Sequence, residues 1–335
     1  MKLFIQARVK AAGITARGAA SGIAVLLAVV LCALSASIVA FGQGAQEARG
    51  DENYAIFVSQ RNGAAELYLI DLGTRQVSQL TNTGRGHLTP SIASNSTGRT
   101  IVFASREGSN YELFSGNLGT AWRTRRPVIT GLNRLTTNTS DETGTSITRE
   151  GETMAFVSGN GIEMMTAGSG GRQLAVPASD ESNDFAPAIS PDGARIAFVS
   201  NRAGDYDIWL YTKATGDVRQ LTRSAKAGGG VSWSADGQRV VFNTTATDNG
   251  ASGVAIADAE TGAFRVLTNQ GDFNGSLSAR GDRMLFTSTR DGDAELYLLN
   301  VGSGSVERLT ISAGADDGAV FVAEPVRSGP PSRRP

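Results

Sequence analysis

The sequence is nearly devoid of the residue types from which redox, metal and histidine-based catalytic sites are built. Cys32 is the only cysteine among 335 residues, and it lies in an apolar stretch near the N-terminus. The chain after residue 50 therefore has neither a disulfide nor a cysteine-based metal site. His87 is the only histidine, so every His-based triad would need it, and no G-x-S-x-G nucleophile motif occurs. We predict no catalytic residue, no bound metal and no cofactor.

Positive charge is also scarce over most of the chain. Residues 51–325 hold 23 basic and 31 acidic residues, a net charge of −8, although the whole chain is close to neutral at −1. An acidic domain disfavours nucleic-acid binding, which relies on clustered Lys and Arg. The stretch AWRTRRPV at 121–128 interleaves Trp with Arg, but we interpret it as an insertion loop between two strands. We predict no nucleic-acid partner.

The first 50 residues have the pattern of a targeting segment. Basic residues precede an uninterrupted apolar run from Ile23 to Leu34, and apolar character resumes through Phe41 before a polar stretch begins. Small residues around Phe41, at Ala40 and Gly42, offer a signal-peptidase site. Residues 23–41 are also long enough to span a bilayer uncleaved. Both alternatives, a cleaved signal peptide and a membrane tether, place the rest of the chain in the periplasm or outside the cell.

One unit recurs along the rest of the chain. The stretches AIFVSQRNGAAELYLI (55–70), IAFVSNRAGDYDIWLY (196–211) and MLFTSTRDGDAELYLL (284–299) share its pattern. A Gly stands five residues before a Phe in five copies, at Gly98/Phe103, Gly151/Phe156, Gly193/Phe198, Gly237/Phe242 and Gly281/Phe286. Short apolar strands alternate with turns such as PDG and KATGD, which gives four strands about every 44 residues. That period indicates the blades of a β-propeller.

The two ends of the repeat region are predicted to share one blade. The first copy begins at its second strand, because Phe57 is preceded by Glu52 where the other copies have Gly. The C-terminal stretch DDGAVFVAEP (316–325) has the pattern of an inner strand, with Ala323 at the position of Ser190. We therefore predict an all-β fold, a six-bladed propeller of four-stranded blades closed by this strand. The predicted domains are a signal peptide or anchor (1–50), the propeller (51–325) and a flexible tail rich in Pro and Arg (326–335).

The stretch ISPDGARIAFVSNRAGDYDIWLY (189–211) resembles the WD40-like, or PD40, repeat of the TolB type, and WSADGQRVVF (233–242) fits the same pattern. The resemblance covers residues 54–325 and implies a six-bladed propeller like that of the bacterial Tol–Pal envelope system. It also implies an exported, periplasmic protein that binds other macromolecules. TolB proper carries an α/β domain ahead of its propeller, and we expect none here because residues 42–54 leave no room for one.

Acidic and aromatic residues recur just before the inner strands, in loops that gather around one mouth of a propeller channel. Counting six residues back from the Ser position of each inner strand gives Thr89, Glu142, Asp184, Gly228, Asp272 and Asp317. The predicted partner-binding residues at this mouth are Glu142, Asp184, Phe185, Asp272, Phe273 and Asp317. Two alternatives remain open: the acids cap turns before the strands, or they bind a hard cation such as Ca²⁺. His87 is expected to be a solvated loop residue on the same face.

These observations predict an exported, monomeric, non-enzymatic scaffold that binds a protein partner of the peptidoglycan-associated kind at the channel mouth. The alternative is a propeller enzyme that acts on a small molecule or a sugar, such as a metal-dependent lactonase. Such an enzyme needs several carboxylates and amides that converge in the channel to hold its metal.

Overall fold

The computed structural model describes residues 52–95, 98–120, 126–159, 161–166, 170–177 and 181–322. Every regular element within these ranges is a β-strand, and 24 strands form six four-stranded antiparallel sheets. The predicted six-bladed β-propeller is therefore confirmed. The predicted targeting segment (1–50), the tail (326–335), Ala323 and residues 121–125 of the predicted insertion loop lie outside the described residues. No helix in the described ranges is long and apolar enough to be a candidate membrane span.

The first three blades contain the following strands, named from the channel outward. Blade 1 consists of β24 (Asp316–Val322), β1 (Tyr54–Ser59), β2 (Glu66–Asp71) and β3 (Val77–Gln79). Blade 2 consists of β4 (His87–Asn95), β5 (Gly98–Glu107), β6 (Asn110–Thr120) and β7 (Pro127–Arg134). Blade 3 consists of β8 (Glu142–Ile147), β9 (Thr153–Ser158), β10 (Gly161–Thr166) and β11 (Arg172–Val176).

The last three blades follow in chain order without interruption. Blade 4 consists of β12 (Asp184–Ile189), β13 (Arg195–Ala203), β14 (Asp205–Thr212) and β15 (Val218–Gln220). Blade 5 consists of β16 (Ser232–Trp233), β17 (Arg239–Thr244), β18 (Gly253–Asp258) and β19 (Phe264–Val266). Blade 6 consists of β20 (Asp272–Leu277), β21 (Arg283–Ser288), β22 (Glu295–Asn300) and β23 (Val306–Arg308).

The ring closes as predicted, with the C-terminal strand β24 paired to β1, the first strand of the chain. Val320 lies opposite Ile56, and Phe321 lies opposite Ala55. In the repeats, Ile189 precedes Ser190 and fills the place that Phe321 fills in blade 1. Val322 therefore stands at the Ser190 position, and the prediction of Ala323 there is wrong by one residue.

The core lies in the seams between blades. The described residues form six clusters of buried apolar side chains, and each cluster draws its members from two neighbouring blades. The repeated phenylalanines of the second strands are all buried, namely Phe57, Phe103, Phe156, Phe198, Phe242 and Phe286. Full burial of one such side chain stabilises the fold by about 1.5–3 kcal/mol. The repeated Phe is therefore the element that joins each blade to its neighbour.

In the PDG-type turns between first and second strands, the Asp side chain bonds the turn itself and the Gly has a left-handed backbone. In blade 4, Asp192 Oδ1 accepts hydrogen bonds from Ser190 Oγ at 2.5 Å and from Ala194 N at 3.0 Å. Gly193 has a φ of 71°, in the left-handed region that glycine tolerates best. The aspartate therefore closes the hairpin. These turns follow the last residues of the inner strands, so they lie at the end of the channel away from the predicted site.

Candidate functional site

A channel runs along the propeller axis between the six inner strands. It has a volume of about 690 Å³, and residues from all six inner strands line it. We call the opening at the first residues of these strands the mouth, and the opening at the PDG-type turns the base. Because every blade contributes to the wall, the channel is a property of the closed ring and of no single repeat.

Each blade has one residue with a left-handed backbone near the mouth, which lies in the inner strand or, in blade 5, two residues before it. These residues have φ values between 45° and 64°, and they are Thr89, Gly144, Ala186, Gly230, Asn274 and Gly318. The pairing register shifts next to them in the five inner strands other than β16, which marks β-bulges. Non-glycine residues seldom adopt such φ values. Since the left-handed conformation persists without glycine in three blades, we infer that ring geometry imposes it.

Hydrogen bonds between neighbouring blades hold the channel wall in place. Ile189 N donates to Ser146 Oγ at 3.0 Å, which joins blade 4 to blade 3. Ser232 Oγ donates to the carbonyl oxygen of Gly275 at 2.7 Å, which joins blade 5 to blade 6. These bonds satisfy backbone groups on the edge of the inner strand that faces away from the second strand, where the same sheet offers no partner. The wall is therefore preorganised before any ligand arrives.

A buried ion pair lies under the mouth in three blades. In blade 4, Arg202 Nη2 donates to Asp184 Oδ2 at 2.6 Å, and Arg202 Nε donates to Ser200 Oγ at 3.0 Å. The guanidinium carbon lies 5.3 Å from the ring centroid of Phe198, in cation–π range. The same unit recurs as Asp272, Ser288 and Arg290 in blade 6, and as Asp316, Ser59 and Arg61 in blade 1. We call this Asp–Ser–Arg unit the latch.

Blade 3 builds an equivalent of the latch from a different strand. Its turn after the second strand is short, and the arginine comes instead from β11: Arg172 Nη2 donates to Ser158 Oγ at 3.0 Å and lies 3.5 Å from Glu142 Oε1. The guanidinium carbon is 5.3 Å from the ring centroid of Phe156, as in the latches. An arginine therefore lies over the repeated Phe in blade 3 as well, although it comes from a different strand.

Blade 2 places His87 where blades 1, 3, 4 and 6 have a carboxylate. The side chain is only 2% exposed, so the prediction of a solvated histidine is wrong. Its Nε2 lies 3.2 Å from Glu66 Oε2 and 3.0 Å from Thr83 Oγ1, and its ring meets Phe103 edge-on at 5.1 Å. Burial lowers the pKa of His87, and this effect outweighs the nearby Glu66 carboxylate, which acts in the opposite direction.

The structure corrects the predicted acidic rim in its exposure. Glu142, Asp184 and Asp272 are at most 2% exposed, and each carboxylate contacts an arginine inside its own blade. They therefore hold the turns under the mouth and do not reach its open surface. This arrangement is closest to the turn-capping alternative, with an arginine added.

The predicted register of the rim also changes at two blades. Asp184 lies opposite Ser200, and the residues that lie opposite the corresponding serines are Asp316 in blade 1 and His87 in blade 2. The count of six residues back from the Ser position predicts Asp317 and Thr89 opposite these serines instead. Asp317 instead occupies the slot of Phe185, one residue further along the inner strand.

The remaining predicted residues lie at or near the mouth. Phe273 and Asp317 belong to the channel lining. Phe185 is half-buried and packs edge-on against the exposed Tyr206, with 5.6 Å between ring centroids. Asp317 Oδ1 accepts hydrogen bonds from Asn274 Nδ2 at 2.7 Å and from Thr287 Oγ1 at 2.8 Å. Among the described lining residues at the mouth, Asp317 is therefore the only carboxylate, and aromatic side chains lie near it.

The base of the channel has a different charge pattern. Glu52 and Arg149 line it there. Glu52 accepts hydrogen bonds from Ala279 N at 3.0 and 2.8 Å, and Arg283 donates to the Glu52 carbonyl at 3.0 Å. Burial raises the pKa of Glu52 above its usual range. Glu52 therefore ties blade 1 to blade 6, a structural role at the seam where the ring closes.

Carboxylates do not converge in the described part of the channel. Among its described lining residues the carboxylates are Glu52 at the base and Asp317 at the mouth. Across the described ranges, no group of three or more His, Cys, Asp or Glu side chains is placed to bind a metal ion. No observation on these residues favours the metal-dependent lactonase alternative over the scaffold.

Comparison with known protein families gives a partial match. Residues 162–288 match the PD40 family, described as the TolB beta propeller domain. A protein TolB homolog of Chlorobium chlorochromatii is 28% identical over 170 residues, which cover 51% of this chain and 36% of that protein. A Tol-Pal system protein TolB of Anaeromyxobacter dehalogenans is 32% identical over 107 residues, which cover 32% of this chain and 24% of that protein. The matched part is thus about a third of the first relative's length and about a quarter of the second's.

Solved structures share the fold at low sequence identity. The crystal structure of TolB from Acinetobacter baumannii superposes with a TM-score of 0.67 at 18% identity, covering 80% of this chain and 66% of that chain. The structure of a putative TolB from Agrobacterium tumefaciens gives 0.57 at 18% identity, covering 78% of this chain and 91% of that chain. At these identities the likeness concerns the propeller architecture alone.

Proposed function

Because the chain carries a TolB-like propeller, we propose that it is a non-enzymatic scaffold of the bacterial cell envelope, exported through its first 50 residues, that docks a protein partner at the channel mouth. The observation that carries the proposal is the preformed channel of about 690 Å³, which opens at the mouth between six hydrogen-bonded inner strands. The partner class that fits is a peptidoglycan-associated protein, since one relative is named as a Tol-Pal system protein.

The mouth has the residue types that anchor protein interfaces. Phe273 lines the channel, and Phe185 with the exposed Tyr206 forms an aromatic pair near the mouth. Aromatic side chains dominate the energetics of such interfaces because they bury a large area at a low entropy cost. The hydrogen-bonded wall adds rigidity, which reduces the ordering entropy that binding has to overcome.

The proposal is tested by photo-crosslinking in intact cells. The photoreactive residue p-benzoylphenylalanine replaces Gln60, an exposed lining residue at the mouth, and, as a matched control, Gln238, an exposed residue in a turn at the base. We expect a defined crosslinked protein from the Gln60 variant and none from the Gln238 variant. Crosslinking that is equal at both positions, or confined to the base, contradicts docking at the mouth. Fractionation of the same cells tests export, which a cytoplasmic chain contradicts.

A further inference from the structure

Asp317 differs from the buried carboxylates under the mouth in having no cationic partner among the described residues. The neighbouring Asp316 is fully buried and lies 2.7 Å from Arg61. The buried carboxylates of blades 3, 4 and 6 likewise lie within ion-pair distance of an arginine. Asp317 lines the channel near the mouth, and none of the ion pairs found among the described residues includes it.

Three hydrogen bonds fix the orientation of the Asp317 carboxylate, and all three go to one oxygen. Oδ1 accepts from Asn274 Nδ2 at 2.7 Å, from Thr287 Oγ1 at 2.8 Å and from Gly318 N at 2.6 Å. Oδ2 has no donor among the described residues. Asn274 is held in turn, because its backbone N donates to Asn243 Oδ1 at 2.7 Å. The negative charge is therefore preorganised with one oxygen left for a ligand.

The walls around Asp317 suit an apolar chain. Val58, Leu88 and Val320 line the channel together with Phe273. A ligand that carries a cationic tip on a hydrocarbon stem can form a charge-assisted hydrogen bond at Oδ2 and bury its stem against these side chains.

The single free oxygen also selects among cations. A guanidinium group binds best when both oxygens of a carboxylate accept its two parallel N–H groups, and Oδ1 is already saturated. A calcium ion needs six to eight oxygen ligands, which one carboxylate oxygen cannot supply. An ammonium group is a compact charge that needs one strong acceptor and can keep water on its other protons.

We propose that Asp317 Oδ2 accepts the primary ammonium group of a partner's lysine side chain, whose methylene stem lies against the apolar wall of the mouth. The proposal rests on the proposed function, because it assigns the docking chemistry of that same mouth. It assigns the recognition to one residue that has no counterpart in the other blades, where the slot holds Leu88, Thr143, Phe185, Gly229 and Phe273.

The test uses n-butylammonium chloride as the probe and the full-length protein labelled for ¹⁵N–¹H NMR. Saturable shifts are expected at the Asn274 side-chain amide and the Gly318 backbone amide. Asp317→Asn should weaken this binding at least tenfold, because it removes the charge and keeps the size. The control is Asp293→Asn, an exposed carboxylate in a turn on the same face, which should change the affinity less than twofold. Butan-1-ol should leave both amides unshifted, and n-butylguanidinium should bind more weakly than n-butylammonium.

Three outcomes would overturn the proposal: Asp317→Asn binds the probe within twofold of the wild type, Asp293→Asn loses as much affinity as Asp317→Asn, or the guanidinium probe binds as tightly as the ammonium probe. The crosslinking experiment separates this inference from the proposed function. If Gln60 crosslinks a partner but n-butylammonium does not bind, the lysine site fails and docking at the mouth stands. If the probe binds at Asp317 but Gln60 captures nothing, the site stands and docking fails.

Discussion

Asp316 and Asp317 are adjacent in the chain and have opposite surroundings. Asp316 is fully buried against Arg61 under the mouth, whereas Asp317 is half-buried on the channel wall and pairs with no arginine of the described ranges. One step along β24 therefore separates a side chain that bonds Arg61 inside its own blade from one that bonds Asn274 and Thr287 of blade 6 and lines the channel. Two residues of the same type can therefore serve stability and recognition respectively, and only the register tells them apart.

The same contrast holds across the whole ring. The latch recurs in blades 1, 4 and 6, and Arg172 restores its arginine in blade 3. Residues that recur in several blades stabilise the blade itself, because each blade has the same strands and turns to hold together. A residue that occurs in one blade only, such as Asp317, is not required for the structure that all blades share. Within a repeat protein, we therefore take non-repeated polar residues on the common surface as the functional candidates.

The largest effect on stability is expected from Arg202→Ala. Asp184 is fully buried, its Oδ1 has no hydrogen-bond partner, and its Oδ2 binds Arg202. Removing the guanidinium leaves a buried charge uncompensated, which lowers the free energy of unfolding by about 3 kcal/mol. Urea denaturation monitored by circular dichroism measures the change. Lys213→Ala, at an exposed turn position of the same blade, is the control and should stay within about 0.5 kcal/mol of the wild type. If both variants lose the same free energy of unfolding, the loss in Arg202→Ala is not caused by breaking the latch.

Arg172→Ala should have a smaller effect of the same kind. Glu142 Oε1 keeps two donors without Arg172, namely Asn138 Nδ2 at 2.5 Å and Ser158 Oγ at 3.1 Å. The expected loss in the free energy of unfolding is about 2 kcal/mol, since hydrogen bonds to charged groups and the contact with Phe156 are lost. The same urea titration compares it with Arg202→Ala. If Arg172→Ala lowers the free energy of unfolding more than Arg202→Ala does, the number of donors left to the buried carboxylate does not determine the loss of stability.

The smallest of these effects is the pH dependence contributed by His87. Burial lowers the pKa of His87 in the folded state, so the unfolded chain binds a proton more readily. The contribution to stability is complete above the unfolded pKa of about 6.5 and is lost as the pH falls through the folded pKa. Unfolding titrations at pH 7.5, 6.5 and 5.5 should show a steeper loss in the wild type than in His87→Gln. Parallel curves for the two proteins would contradict the assignment.

The repeat architecture was predictable because each of its determinants recurs. The Phe at the centre of every second strand, the PDG-type turn and the 44-residue spacing all report the same blade, and the structure confirms six blades and closure by the C-terminal strand. The latch also left a signal in the sequence. A Ser followed two residues later by Arg ends the second strand in three copies, as Ser59/Arg61, Ser200/Arg202 and Ser288/Arg290. Opposite charge at matching positions could have paired these arginines with the buried acids.

The details of the site were not predictable because they depend on backbone geometry. The left-handed residue near the mouth is Gly in only three blades, so no residue type marks it in the others. The count from the Ser position therefore missed His87 by two residues and Asp316 by one, while it was correct for Asp184 and Asp272. The sequence also does not reveal the burial of the acids, because their arginine partners lie 18 or 30 residues downstream or at the other end of the chain.

The account is tested most directly by comparing Asp316→Asn with Asp317→Asn in two assays on the full-length protein. Asp316→Asn should lower the free energy of unfolding by about 2 kcal/mol, because a neutral amide cannot pair with Arg61. Under conditions in which the Asp316→Asn variant is folded, its affinity for n-butylammonium should stay within twofold of the wild type. Asp317→Asn should unfold within about 1 kcal/mol of the wild type and bind n-butylammonium at least tenfold more weakly. Contradiction would come from the reverse pattern, or from both variants losing stability and binding to the same extent.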